Sequence, residues 1–560
     1  MDSLHIVTQL FEYPEILYLI CEQAQRSDLA RLLTTSRLFF DCAVPFVWRS
    51  LPESAPTILM RLLPDSDTHL KHHLRNKFIK ELQPLDSQSL VRFNLYVPHV
   101  KQLAQGLGSH RIWKKLLKLV GTRPILPNLQ VLKVSILGMV QDPVSYLSAC
   151  LTPTLTEIDY HYGGHPYVEP HLLSHFVSSI AQKCPNIHSL KLGYVARHIT
   201  IGPTHASKLA NALRQLHNLR VLGLGPVVLD PKVLSAISSL PNLESLTLNE
   251  APNPINPRTR RLSSEEPQKR IEFSLSDETF PNLQHLGIDP CRELESVIRI
   301  WNITALVQRL MSVSIRIVPY ISVPQLQFHR FIRAICRRSP FVSILSLSCS
   351  GSSNYIQLLS PEIVDNLAQL PLQRLRLWRD EHYDIFASAS PRCDSEHFAL
   401  AFSGMECLQI WGYHFTFKDL VFIAKHMSRL QQLWVTIEMD KDWPSKEKLS
   451  SLSLTPSPSQ LYFDLNIVHT ISANRRPTPI YYGLTNEKAE EIAAGLHALW
   501  PKGVVCDNYQ PPYNDGRLRC TDEINTALRR LRGVHGDDDW AKLIPLKYPR
   551  KRIHPWLERF

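Results

Sequence analysis

Three phrases in the second half of the chain, LQRLRLW from Leu372, MECLQIW from Met405 and LQQLWVT from Leu430, share an L-x-x-L-x-L frame. Between their apolar positions they set Arg374, Arg376 and Trp378, then Gln409 and Trp411, then Gln432 and Trp434. If each phrase is a short strand, alternation turns these seven residues to one side of a sheet. Tryptophan brings large rigid contact area and arginine a forked set of donors, so the chemistry on offer is recognition of a partner. Earlier copies of the frame carry small or mildly polar residues at the same positions, such as Ser189, Lys191, Val221, Gly223, Ser245 and Thr247. The later copies are therefore the expected docking face, the competing reading being that their tryptophans pack beneath the C-terminal tail.

Bond-making chemistry finds no comparable pattern. The sequence holds no GxSxG elbow, no HExxH and no P-loop. Glycine, which phosphate-cradling loops require, numbers only 20 against 41 prolines, and the pairs Gly106/Gly108 and Gly223/Gly225 read as turns. Eleven cysteines contain no CxxC, which argues against a zinc module or redox pair and suits reduced thiols of a cytoplasmic or nuclear protein. His69, His72 and His73 read as exposed residues of a polar helix. No catalytic site, metal or cofactor is expected.

The elements that must position the docking face are visible as repeats. LPNLQVLKVS at 126 recurs as CPNIHSLKLG at 184, LHNLRVLGLG at 216, LPNLESLTLN at 240 and FPNLQHLGID at 280. Fainter copies are TLTEIDY from Thr154 and FVSILSLS from Phe341, besides the three tryptophan-bearing phrases. From Leu129 through Leu155, Ile187, Leu219 and Leu243 to Leu283 the steps are 26, 32, 32, 24 and 40 residues. Ahead of most copies lies an amphipathic segment such as SHFVSSIAQ, HASKLANALRQ or FHRFIRAICRR. Helix, loop and strand make one unit, and stacked units bury a core between a parallel sheet and an outer row of helices. The predicted class is α/β: a curved leucine-rich-repeat solenoid over 126–507, with the parallel sheet on its concave face and helices outside. Loop insertions are expected near 252–270, where PNPINPRTRRLSSEEPQK includes a kinase-type motif ending at Ser263, and near 439–484. Between Cys291 and Phe341 one or two further units fit.

The chain of 560 residues exceeds what one compact core usually holds, which suits repeats. Its net charge of +11 is small for that length and reads as a basic solvated surface, so nucleic acid is not an expected partner. No apolar run is long enough to span a membrane, and the start MDSLHIVTQLF lacks the basic and apolar regions of a secretion signal. Residues 53–125 are an expected helical linker and 508–560 a helical, basic tail.

Residues 1–52 form a separate unit of three short helices. Pro14 and Glu15 suit a first turn, with Ile16, Leu19 and Ile20 on one face. Ser27 or Asp28 can cap a second helix bearing Leu29, Leu32 and Leu33, and Ser36 a third bearing Leu38 and Phe39. The sequence Y-P-E-I, then D-L-A-R-L, T-S-R-L-F and P-x-x-W-R-S-L over 11–51 resembles an F-box, and an F-box ahead of leucine-rich repeats resembles the F-box/leucine-rich-repeat proteins of fungi. Tyr13 stands where that family usually has leucine, Pro14 and Glu15 lack a spacer, and Ser36 replaces a cysteine. VRFNLYVPHVKQL at 91–103 resembles the link between F-box and repeats in the same group. The resemblance implies a substrate-recognition subunit that binds the Skp adaptor of a cullin ubiquitin ligase, while the repeats hold a protein substrate. It assigns Pro14, Ile16, Ile20, Leu29, Leu32, Leu38, Phe39 and Trp48 to the F-box core or adaptor surface. The alternative is a scaffold outside any ligase whose repeats bind a regulatory protein or RNA.

Overall fold

The computed structural model describes residues 13–65, 82–106, 110–121, 124–136, 147–162, 170–192, 202–249, 275–276, 278–291, 294–318, 324–349, 357–379, 394–438, 443–468, 485–507 and 520–533. The expected insertion at 252–270, the histidines His69, His72 and His73, and most of the 508–560 tail lie outside them. Two compact units divide the chain, one of residues Met1–Ser274 with Thr279–Asn282, the other of Leu275–Glu278 with Leu283–Phe560.

The first unit opens with three helices, α1 (Pro14–Gln23), α2 (Arg26–Leu32) and α3 (Arg37–Trp48). Pro14 occupies the first turn of α1, where its missing N–H costs nothing. Ser36 caps α3 by accepting from the Phe39 N–H at 3.3 Å. Helix α2 begins earlier than expected, its cap position being Gln25 rather than Ser27 or Asp28. Leu17 and Cys21 of α1, Leu29 of α2 and Cys42 and Ala43 of α3 close a small core.

Among the described residues seven strands follow in the first unit: β1 (Ser50–Leu51), β2 (Gln102–Gly106), β3 (Val131–Ile136), β4 (Glu157–Tyr162), β5 (Ser189–Lys191), β6 (Val221–Leu224) and β7 (Ser245–Leu248). Each pairs in parallel with the next in chain order. The sheet thus starts ahead of residue 126, within and before the stretch read as a helical linker. Between strands run helices, among them Pro170–Lys183, Pro203–Arg214 and Pro231–Ser238, packed side by side. The frame leucines Leu129, Leu155, Leu219, Leu243 and Leu283, with Ile187, are all buried.

The asparagine of the repeated P-N-L phrase has its own task. Asn128 donates to the Pro98 carbonyl at 2.8 Å, Asn186 to Pro153 at 3.3 Å and Asn218 to Pro185 at 3.2 Å. Asn242 then donates to His217 at 3.0 Å and Asn282 to Pro241 at 2.7 Å. Each side chain therefore satisfies a loop carbonyl of the preceding unit that the strand ladder does not reach. Where the phrase reads TLTEIDY, the Thr154 hydroxyl replaces the amide and donates to Pro127 at 3.1 Å and Leu129 at 2.9 Å.

Gly223 is a correction to the reading of its pair as a turn: it lies inside β6. A Cβ there would stand 3.3 Å from the Lys191 Cα, so the missing side chain leaves room for its neighbour.

Among the described residues the second unit holds eight strands, again parallel and in chain order: β8 (His285–Cys291), β9 (Ser312–Ile317), β10 (Ile344–Cys349), β11 (Arg374–Arg379), β12 (Cys407–Phe415), β13 (Gln432–Glu438), β14 (Leu461–Val468) and β15 (Val504–Asp507). One strand, β9, fills the interval between Cys291 and Phe341 among the described residues. The interval read as a loop insertion at 439–484 contains a helix, Lys446–Ser451, and β14. Its serine- and proline-rich wording, WPSKEKLSSLSLTPSPSQ, hides the alternating LYFDLNIV that follows. After β15, a helix of residues Cys520–Arg532 packs on the helix Asn486–Leu499.

Candidate binding face

The residues singled out around the tryptophans share one face of three adjacent strands. Arg374 is in register with Cys407, and Cys407 with Gln432; Arg376 is in register with Gln409, and Gln409 with Trp434. Trp378 is opposite Trp411, and the two indoles stack with centroids 4.7 Å apart and planes 28° apart. Trp411 meets Trp434 edge-on at 6.4 Å and 78°. All three tryptophans and both arginines are half-buried, while Gln409 is buried. The inward partners Leu375, Leu377, Leu408, Ile410, Leu433 and Val435 are core residues, which fixes the strands beneath.

An irregularity in β12 sets the edge-on contact. Gln409 pairs with Trp434 and His414 with Thr436, so five residue steps of β12 span what two of β13 span. Trp411 falls in that excess and is freed from strict register with β13. Tyr413, in the same stretch, turns inward and its hydroxyl accepts from the Leu358 N–H at 2.9 Å. Sequence reading missed the irregularity; Gly412 within IWGYHF was its available signal.

The local field is positive. Burial raises the Cys407 thiol pKa, and the guanidiniums of Arg376 and Arg374 pull against it. A recess of about 370 Å³ opens where β13 to β15 begin, lined by Arg429, Gln431, Gln460 and Tyr462. Its arginine is engaged by Glu406 at 3.1 Å.

In the first unit the corresponding face is polar. Burial lowers the Lys191 pKa, with Asp159 and Glu157 acting in the opposite direction.

The N-terminal helices divide their residues between a core and a surface. Leu29 is buried, and Leu32, Leu38 and Phe39 pack around it. Trp48 is half-buried and stacks on Tyr96 at 4.6 Å and 22°, and Phe40 meets the same ring at 6.2 Å. These contacts fasten α3 to the segment Val91–Tyr96. Pro14 is exposed and so is Ile16's neighbourhood at the helix surface: Tyr13, Tyr18, Leu19 and Ile20 are 58%, 47%, 61% and 42% exposed. Leu17 and Cys21, which the sequence reading did not select, carry the inward face of α1.

Among the described residues, no group of three histidine, cysteine or acidic side chains is placed to hold a metal, and no helix is long and apolar enough to cross a membrane.

No protein-family model and no curated protein matches the sequence. Solved structures do. A chain of the TLR13–ssRNA13 complex matches 66% of this chain at 17% identity and a TM-score of 0.32, and this chain spans 40% of that one. The leucine-rich-repeat-containing protein LegL7 from Legionella pneumophila matches 72% at 12% identity and 0.30, with 98% of its own length covered. A protein from Bacteroides fragilis matches 71% at 11% identity and 0.25, with 82% of its length covered. The repeat architecture itself rests on the strand order, the buried frame leucines and the asparagine contacts.

Proposed function

We propose that the protein is a substrate receptor of a Skp–cullin ubiquitin ligase: α1 to α3 dock the Skp adaptor and the tryptophan–arginine face holds a protein substrate. The chain would make no bond itself. It would raise the local concentration of a substrate lysine near the ubiquitin-charged enzyme.

The observation that carries the reading is the apolar surface of α1. The three-helix core is already closed by Leu17, Cys21, Leu29, Cys42 and Ala43, yet Tyr13, Tyr18, Leu19 and Ile20 remain exposed along one short helix. Tyr18 leans on Phe46 with ring centroids 4.6 Å apart, whereas Leu19 and Ile20 lie outside the small core and suit a protein partner. Nine cysteines among the described residues, Cys21 to Cys506, are buried and form no disulfide with one another, which fits a reducing compartment, cytoplasm or nucleus.

The test is co-expression with a Skp adaptor and sizing chromatography of the native chain against Pro14→Ala with Leu19→Asp and Ile20→Asp. Co-elution of the native chain and its loss in the variant are expected. Equal behaviour of the two would refute the adaptor role and leave a repeat scaffold binding a regulatory protein or RNA. Leu19 and Ile20 lie outside the small core, so thermal melting of the variant should match the native chain.

A further inference from the structure

The proposed substrate face has a chemical asymmetry that narrows its partner, and the inference rests on that reading. On β9 and β10 the positions facing away from the core are Ser312, Ser314 and Arg316, then Ile344, Ser346 and Ser348; the four serines are only 4%, 8%, 5% and 6% exposed, and Arg316 is paired with Asp289. The serines form a low floor of hydroxyls. On β11 the floor meets Arg374 and Arg376, and on β12 and β13 it rises to the indoles of Trp411 and Trp434.

Ser346 stands beside Arg376 in the register, and its Oγ is buried with no protein hydrogen-bond partner. A buried hydroxyl left in that state is costly, and native structures rarely carry one without a reason. The register positions flanking the arginines hold Ile344 and Cys407 beside Arg374, and Ser346 and Gln409 beside Arg376. The Arg376 guanidinium next to the Ser346 hydroxyl, with Arg374 two residues away on the same strand, offers donors and positive charge to an oxyanion.

Geometry favours a peptide over a nucleic acid. The cationic step on β11 is two arginines wide and the outward arginine of β9, Arg316, is paired with Asp289, whereas a nucleic-acid strand needs a track of cations along its phosphates. The stacked pair Trp378–Trp411 closes the space between those two rings to an intercalating base. What remains is a surface suited to a proline or aromatic side chain. With strands about 4.8 Å apart, β11 and β13 are separated by about 10 Å, or about three residues of an extended peptide lying across them.

We propose that the face of β10 to β13 binds an extended acidic peptide, its carboxylate at the Ser346–Arg376 step and a proline or aromatic ring about three residues away on the tryptophans. The test pans a displayed library of random peptides on the full-length protein. Enrichment of aspartate or glutamate at that spacing from proline or an aromatic residue is expected. Arg376→Glu should weaken the selected peptides at least about tenfold and shift selection toward lysine or arginine.

Enrichment without acidic preference would overturn the proposal, as would a preference unchanged by Arg376→Glu. Binding of a uridine oligonucleotide that Arg376→Glu abolishes, with no acidic peptide selected, would also overturn it. The triple variant Trp378→Ala, Trp411→Ala, Trp434→Ala separates this failure from that of the underlying reading. Non-acidic peptides lost in the triple variant leave the face a protein-binding site; selection unaffected by it sinks the face and the proposal together. Melting curves and adaptor co-elution report whether each variant folds.

Discussion

The outer edge of β15 is covered at Cys506 by one side chain, and removing it should open that end. Asn525, on the helix Cys520–Arg532, accepts from the Cys506 N–H through Oδ1 at 2.9 Å. Its Nδ2 donates to the Cys506 carbonyl at 2.7 Å. The amide thus imitates a neighbouring strand and satisfies both main-chain groups of Cys506, while Arg532 donates to the Val504 carbonyl at 3.4 Å. Asn525→Leu keeps the volume and removes both bonds. Each is worth about 1 kcal/mol net, and the site is half-buried, so water replaces the lost partners only in part. A local loss of about 2 kcal/mol follows, or about thirtyfold faster exchange of the Cys506 amide. Hydrogen exchange read on 504–507 and 520–533 measures it, with β8 to β11 as an internal control. The exposed edge should also promote self-association at high concentration. An exchange rate at Cys506 equal to that of the native chain would refute the capping argument.

Two further predictions concern stability. Burial, then the charge of Arg532, lowers the His497 pKa below its usual value of 6.5, so folding favours the neutral ring. Its contribution is complete above about pH 6.5 and is lost as pH falls toward the lowered folded value. Hydrogen exchange of 485–499 should therefore accelerate on acidification, and His497→Phe should flatten the dependence; an unchanged slope would remove His497 as the cause. In the first unit, Asn242→Ala deletes the bond to the His217 carbonyl. The expected loss is about 1 kcal/mol, a fall of a few degrees in the melting of that unit, against no change for a ladder without energetic weight.

Much of the architecture was legible because apolar spacing and turn chemistry pointed the same way. The phrases from Leu372, Met405 and Leu430 all became strands, with their inward leucines buried and their marked residues on one face. Elements with weaker periodicity escaped. Gln102–Gly106 carries too few apolar residues to read as a strand, yet pairs with β1 and β3. The Ser/Pro run before Leu461 concealed β14, and the excess residues of β12 have no periodic signature. On α1, the exposed Leu19 and Ile20 look as apolar as the buried Leu17 and Cys21, so composition could not separate core from surface.

The contrast between inward and outward residues is the strongest reason to assign the tryptophans a binding role. In a repeat structure the inward leucines hold each unit against the next, which leaves the outward positions free to vary without loss of the core. Serine fills four of the six such positions on β9 and β10, Arg316 and Ile344 the others, and the strands still pair in full register. Large indoles at Trp378, Trp411 and Trp434 are therefore not required by the sheet. They stack on one another while staying half-exposed, which keeps them rigid and lowers the entropy lost when a partner arrives. A face that is rigid, aromatic and cationic, set on strands fixed from behind by buried leucines, has the preorganisation expected of a recognition surface.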